Sequence, residues 1–273
     1  MRWTPGGRSP NLEDRRSAGG GMGGRGLGIG GTLVVLALSL IFRQDLFSAL
    51  GVEPSIGTTA APMSAADSAA EEPQVQFVSF VMDDVQNTWA KILPNFHPAR
   101  VVLFRNSTES GCGAAQSAMG PFYCPLDERV YLDLGFFEEL SKRFGASGDF
   151  AGAYVIAHEL GHHIQHLTGT DARVRQAQES NPSAANELSV RVELQADCYA
   201  GVWAHSTDQR RILDQGDVDE ALGAASAVGD DRIQKQTTGR VNVDSFTHGS
   251  AAQRSQSFKR GFESGDPRNC NTL

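Results

Sequence analysis

Apolar positions fall into three regimes along the chain. Residues 1–26 hold almost no large apolar side chains and are rich in Gly, Arg and Pro. Leu27 to Phe42 is an uncharged run that includes Leu33, Val34, Val35, Leu36, Leu38, Leu40 and Ile41. Gly51 to Gln74 again offers little to bury, and a globular pattern begins near Val75. Within it, Phe77, Phe80, Val81, Val85, Trp89 and Ile92 recur at helical spacing and predict a helix from Phe77 to Leu93. Val101 to Phe104 is a short continuous apolar run after Pro98, which predicts a buried strand, and Arg129 to Leu134 alternates and predicts a second.

Further helices are predicted over Phe136 to Phe144, Ala184 to Ala204, Asp217 to Gln234 and Gly249 to Phe262, the last with Ser250 as cap. Between them, Asp149 to Leu167 starts after Gly148 and stops before Gly169. Asn181-Pro182 reads as a polar connection. Few strands and many helices make the fold class α+β, mostly helical.

The uncharged run is short for a membrane span, for which about 20 residues is typical. Extension through Leu46 and Phe47 passes Arg43 and Asp45, whose charged ends can snorkel to the interface. Five arginines (Arg2, Arg8, Arg15, Arg16, Arg25) precede it against Glu13 and Asp14, which by the positive-inside rule keeps the N-terminus in the cytoplasm. A cleaved signal peptide is the competing reading, but its charged region would be unusually long and no small-x-small site follows promptly. The expected organisation is a disordered cytoplasmic tail (1–26), a transmembrane anchor (27–47), a flexible linker (48–74) and one domain (75–273) outside the cytoplasm. The remaining length suffices for a single sizeable core.

Four cysteines fit an oxidising compartment. Cys112 and Cys124 enclose a short segment with Gly and Pro turn signals, the shape of a local disulfide loop; Cys198 and Cys270 would then bridge over a long range. Sequence leaves all three connectivities open. No Cys-x-x-Cys pair exists, so zinc is not their business. The formal net charge is −8, and more negative without the N-terminal arginines, which makes nucleic acid a poor partner.

The chemistry concentrates in His158-Glu159-Leu160-Gly161-His162. Imidazoles four residues apart lie about 40° apart around a helix, so both reach one metal. Glu159, between them, can sit beside the open side of that metal and take a proton from bound water. A catalytic zinc takes three protein ligands and keeps one position for water. Glu193, in Glu193-Leu194-Gln195-Ala196-Asp197, is the candidate third ligand, on a helix given a buried side by Leu188, Val192 and Ala196. Asp197, one turn on, can accept from the distal nitrogen of a ligating histidine and fix its tautomer. His166 lies about 5.4 Å beyond His162 along the axis and His163 points about 100° away, so both read as structural.

The pairing of this motif with a downstream Glu-x-x-Ala-Asp resembles the glutamate-ligand branch of the zincin metallopeptidases. Gln165 and Thr168 stand where the third-histidine branch needs other residues. Phe246-Thr247-His248-Gly249-Ser250-Ala251-Ala252-Gln253-Arg254 and a Cys near the terminus extend the likeness. Over residues 75–270 the chain resembles the bacterial "putative neutral zinc metallopeptidase" family. That resemblance implies a zincin-like domain with a small sheet and one zinc per chain on His158, His162 and Glu193. It implies peptide-bond hydrolysis by a zinc-activated water with Glu159 as general base, and a peptide or protein substrate. His248, between Thr247 and Gly249 near a helix start, is the candidate for stabilising the oxyanion, with Tyr154 as alternative. The strand at Val130 to Leu134 is expected to present an edge to an extended peptide. The rival reading is a catalytically silent zinc domain acting as an anchored binding or assembly factor. A purely structural zinc would need a fourth protein ligand.

Overall fold

Two strands with apolar side chains on both faces form the centre of the sheet. The computed structural model describes residues 1–17, 64–142 and 145–272. Its strands are β1 (Leu12–Asp14), β2 (Arg100–Phe104), β3 (Ser107–Ser110), β4 (Gly113–Gln116), β5 (Phe122–Cys124) and β6 (Arg129–Asp133). The main sheet has the order β1-β2-β6-β5, with β1, β2 and β6 parallel and β5 antiparallel to β6. Val101 pairs with Val130 and Leu103 with Leu132, and these four face the helices. Val102, Phe104 and Tyr131 point the other way, against Ala115 and Cys124. The hairpin β3–β4 therefore covers the second face, and the Cys112–Cys124 disulfide ties it to β5. Strands buried on both faces read as continuous apolar runs, as Val101 to Phe104 does.

The helices are α1 (Ala65–Ala70), α2 (Glu72–Ile92), α3 (Gly135–Lys142), α4 (Asp149–Leu167), α5 (Thr170–Ser180), α6 (Ala185–Gln209), α7 (Asp217–Ala227), α8 (Asp230–Thr238) and α9 (Ala251–Ser264). The motif helix α4 is the hub. Phe150, Ala153, Tyr154, Ile156, Ala157, Leu160 and Ile164 bury it nearly all round, against α2, α6 and α7. Such a helix belongs inside a core. Helices α6 and α9 cross with their backbones almost touching: a Cβ at Gly261 would lie 1.9 Å from the Cys198 carbonyl oxygen. The Cys198–Cys270 disulfide fastens the segment after α9 back onto α6.

The fold is α+β and mostly helical, and α2, β2, β6, α3, α4, α6 and α9 agree closely with the sequence pattern. Four expectations are corrected. Residues 1–17, expected to be a disordered tail, are ordered: Leu12–Asp14 form a strand beside Val101–Leu103. The expected linker is helical from Ala65, since α1 and the start of α2 precede Val75. The helix expected over Asp217 to Gln234 breaks at Val228–Gly229, because the Asp230 carboxylate turns back to accept from the backbone N–H groups of Thr247, His248 and Gly249. The strand β6 lies inside the sheet with β2 and β5 on its flanks, so β5 takes the edge expected of Val130 to Leu134. The anchor expected over 27–47 lies outside the described residues. Among the described residues no helix is long and apolar enough to cross a membrane.

Candidate metal centre

Close contact between α4 and α6 brings the motif to its third partner. A Cβ at Gly161 would lie 3.0 Å from the Ala196 carbonyl oxygen, so glycine there lets the two helices meet. Glu193 then faces both imidazoles. His158 Nε2 is 3.2 Å from Glu193 Oε2, and His162 Nε2 is 3.5 Å from Glu193 Oε1. One ligand atom from each of the three lies within 4.8 Å of the others.

Each imidazole is aimed by its other nitrogen. His158 Nδ1–H donates to Asp197 Oδ1 at 2.8 Å, which aims Nε2 at Glu193. His162 Nδ1–H donates to Gln165 Oε1 at 2.9 Å. Gln165 is fixed in that sense because its Nε2 donates to the Val192 carbonyl at 2.8 Å and to Gln195 Oε1 at 3.1 Å. Such outer partners set ring orientation and tautomer for metal binding.

Asp197 is fully buried and accepts four hydrogen bonds from three residues. Besides His158 it accepts from the Tyr154 hydroxyl at 2.5 Å and from Arg254, whose Nε and Nη2 each lie 2.9 Å from one of its oxygens. Arg254, on α9, is itself 4% exposed. Burial would raise the Asp197 carboxyl, but the Arg254 and His158 charges hold it below its usual range. Glu193 behaves alike: burial acts upward, and His162, His158 and Arg254 hold it well below the usual carboxylate range. Glu159, 7% exposed, moves the opposite way because burial dominates. Two neighbouring carboxyls are thus driven apart, one fixed as an anion and one moved toward neutrality, a pattern found where acid–base chemistry is done.

These donors fit a zinc ion. Two imidazole nitrogens and a carboxylate converge, with distal nitrogens already committed and a cleft on the remaining side. The cleft holds about 650 Å³ and takes in His158, Glu159, His162, Glu193 and Arg254. Phe122, Tyr123, Phe136, Val155 and Val192 give it apolar walls. His248 stands in the wall as well, half-exposed, with Nδ1 within 3.0 Å of Thr247 Oγ1 and 3.1 Å of Asp230 Oδ1. Tyr154, the alternative to His248, spends its hydroxyl on Asp197 and supports the cluster from below.

His163 and His166 are structural. His163 Nε2–H donates to the His97 carbonyl at 2.8 Å, and its Nδ1 accepts from the Tyr123 hydroxyl at 3.0 Å. His166 Nδ1 is 2.9 Å from Asp171, and its Nε2 is 3.4 Å from Glu128. Sequence reasoning overlooked Arg254 and Gln165 as members of the site. A second acidic group, Asp149, Asp217 and Glu220, lies at the other end of α4, where the Met1 amino group is 2.7 Å from Asp149.

A sequence profile described as "Putative neutral zinc metallopeptidase" matches residues 1–273. The chain belongs to that family. The uncharacterized protein YpfJ of Escherichia coli (strain K12) is 46% identical over 286 aligned residues, covering 100% of this chain and 99% of YpfJ. An uncharacterized protein of Mycobacterium tuberculosis (strain ATCC 25618 / H37Rv) is 48% identical over 202 residues, 70% of this chain and 68% of that one. No solved structure matches significantly.

Proposed function

We propose that the protein is a zinc-dependent peptidase that works outside the cytoplasm and hydrolyses peptide bonds. The observation that carries this reading is the convergence of His158, His162 and Glu193 beside Glu159 at the floor of an open cleft. His158, His162 and Glu193 would hold one zinc per chain. A zinc ion there would acidify water and polarise a carbonyl. Glu159, with its carboxyl raised by burial, takes the proton from the attacking water and delivers it to the leaving amine. His248 is oriented by Asp230 and Thr247 at the cleft wall, where a ring N–H could meet the negative charge that develops on the carbonyl oxygen. Asp197 and Arg254 keep His158 in the ligating tautomer. Two disulfides support a site of action in an oxidising compartment. A catalytically silent binding domain is the lesser reading, because it gives no reason for Glu159 to be buried beside the donors.

The Glu159→Gln variant tests the assignment. It keeps the shape of the side chain and removes the base. The expected outcome is unchanged zinc content with peptide hydrolysis reduced by roughly 10²–10⁴-fold. Full cleavage by that variant would remove Glu159 from the chemistry.

A further inference from the structure

The first 17 residues are bound to the body along their length. Trp3 packs edge-on against Phe77, with ring centroids 5.4 Å apart. Ser9 Oγ donates to Asp83 at 2.6 Å, Val101 N–H to the Asn11 carbonyl at 3.0 Å, and Arg15 N–H to the Leu103 carbonyl at 2.7 Å. Strand β1 lies between these last two bonds. Four of the five N-terminal arginines have carboxylate partners. Arg2 meets Asp214 at 3.0 Å and Arg15 meets Glu13 at 2.7 Å. Arg8 reaches Asp14 at 2.8 Å and Glu72 at 2.5 Å. Arg16, 3% exposed, lies 2.8 Å from Asp14 and 2.7 Å from Glu71. A buried arginine needs such partners, so these residues serve the fold and need not serve as a topological signal.

The second observation is where the chain departs and returns. Arg16, next to the last described residue of the first segment, holds Glu71, and Arg8 holds Glu72. Departure at Ser17 is therefore close to the start of α2, one short helix after the return at Ser64. A chain that crosses a bilayer once leaves its flanking segments about 30 Å apart, on opposite sides of the hydrocarbon. Hydrogen-bonded ion pairs do not form across that distance.

We propose that residues 1–17 and 64–272 fold together on the same side of the membrane. The disulfides put the shared side outside the cytoplasm, and the N-terminal arginines with it. Nothing in this inference depends on peptidase activity.

The test uses the full chain in bacterial cells. All four native cysteines are paired, so one added cysteine gives a unique thiol. Gly6→Cys reports on the N-terminal segment, where a Cβ meets only the Thr4 carbonyl oxygen at an ordinary 3.9 Å. Lys259→Cys reports on the exposed face of α9. Each is treated with a membrane-impermeant maleimide on intact spheroplasts and again after lysis. The expected result is equal modification of both thiols before lysis; equal protection of both until lysis also supports a shared side. Modification of one before lysis and of the other only after it would overturn the proposal. Trypsin provides a second reading on the purified chain: the bonds after Arg15 and Arg16 should resist cleavage as long as the domain is folded. Rapid removal of residues 1–16 with an unchanged melting temperature would also overturn it.

Discussion

His158 and His162 are each held by the nitrogen that would not touch a metal, and this has a consequence in protons. In the metal-free protein, burial acts to lower the His158 pKa, but the Asp197 charge outweighs it and raises the group to about 10. The ring is then protonated at neutral pH, whereas a ligating Nε2 must be free of its proton. Zinc uptake should therefore release a proton from His158, and affinity should rise with pH up to about 10 and fall as pH drops. Calorimetric titration in buffers of different ionisation heat reads this directly; a binding heat independent of buffer would contradict it. At this scale the sequence was legible wherever chemistry followed local spacing. The motif, Glu193 and Asp197 stand one helical turn apart in pairs, so their faces could be read. Arg254 could not, because its partner Asp197 lies 57 positions earlier and a lone arginine in a polar segment reads as solvated. Gln165 was noted for the ligand it is not, while its hydrogen bond to His162 depends on Val192 and Gln195 from another helix.

The elements were most legible where punctuation and burial agreed. Helix α4 runs from Asp149 to Leu167 as its pattern predicts, since Gly148 and Gly169 both adopt positive φ at its ends. The capping box of Ser250 and Gln253 likewise starts α9 where Ser250 suggested. Strand β1 was invisible: Leu12 is its one apolar residue, and Glu13 and Asp14 are there to meet arginines. Helix α5 was missed because only Val174 and Thr170 of its residues are buried, which leaves little periodicity to read. The break before α8 has a local mark in Gly229, its N-cap, and is fixed by the tertiary contact of Asp230. The crossing of α6 and α9 allows a direct test of packing. Gly261→Ala would force a methyl group against the Cys198 carbonyl and should cost about 3 kcal/mol or more, because overpacking at a backbone contact has no side chain to move aside. Chemical denaturation of the variant measures this, and a midpoint equal to the parent's would show that the helices can separate at no cost.

Over the whole molecule, the candidate site depends on ties that are distant in sequence. Gln195 Nε2 donates to the Cys270 carbonyl at 3.2 Å, so the Cys198–Cys270 bridge supports the residue that supports Gln165. With a sequence separation of 72, that bridge restricts the unfolded chain strongly. Replacing both cysteines by serine should cost about 4 kcal/mol on a chain-entropy account. The melting temperature should fall accordingly, and an unchanged value would mean that packing alone fixes the C-terminal segment. The N-terminal segment belongs to the same picture: composition suggested a detached tail, and four ion-paired arginines make it part of the body.

Zinc content is the measurement that bears most directly on the central claim. The full chain, folded and with its disulfides formed, should bind one zinc at pH 7, and His162→Ala and Glu193→Ala should each abolish stoichiometric binding while Asp149→Ala does not. A folded, oxidised parent that takes up no zinc would contradict the account, as would one whose zinc survives loss of both His162 and Glu193.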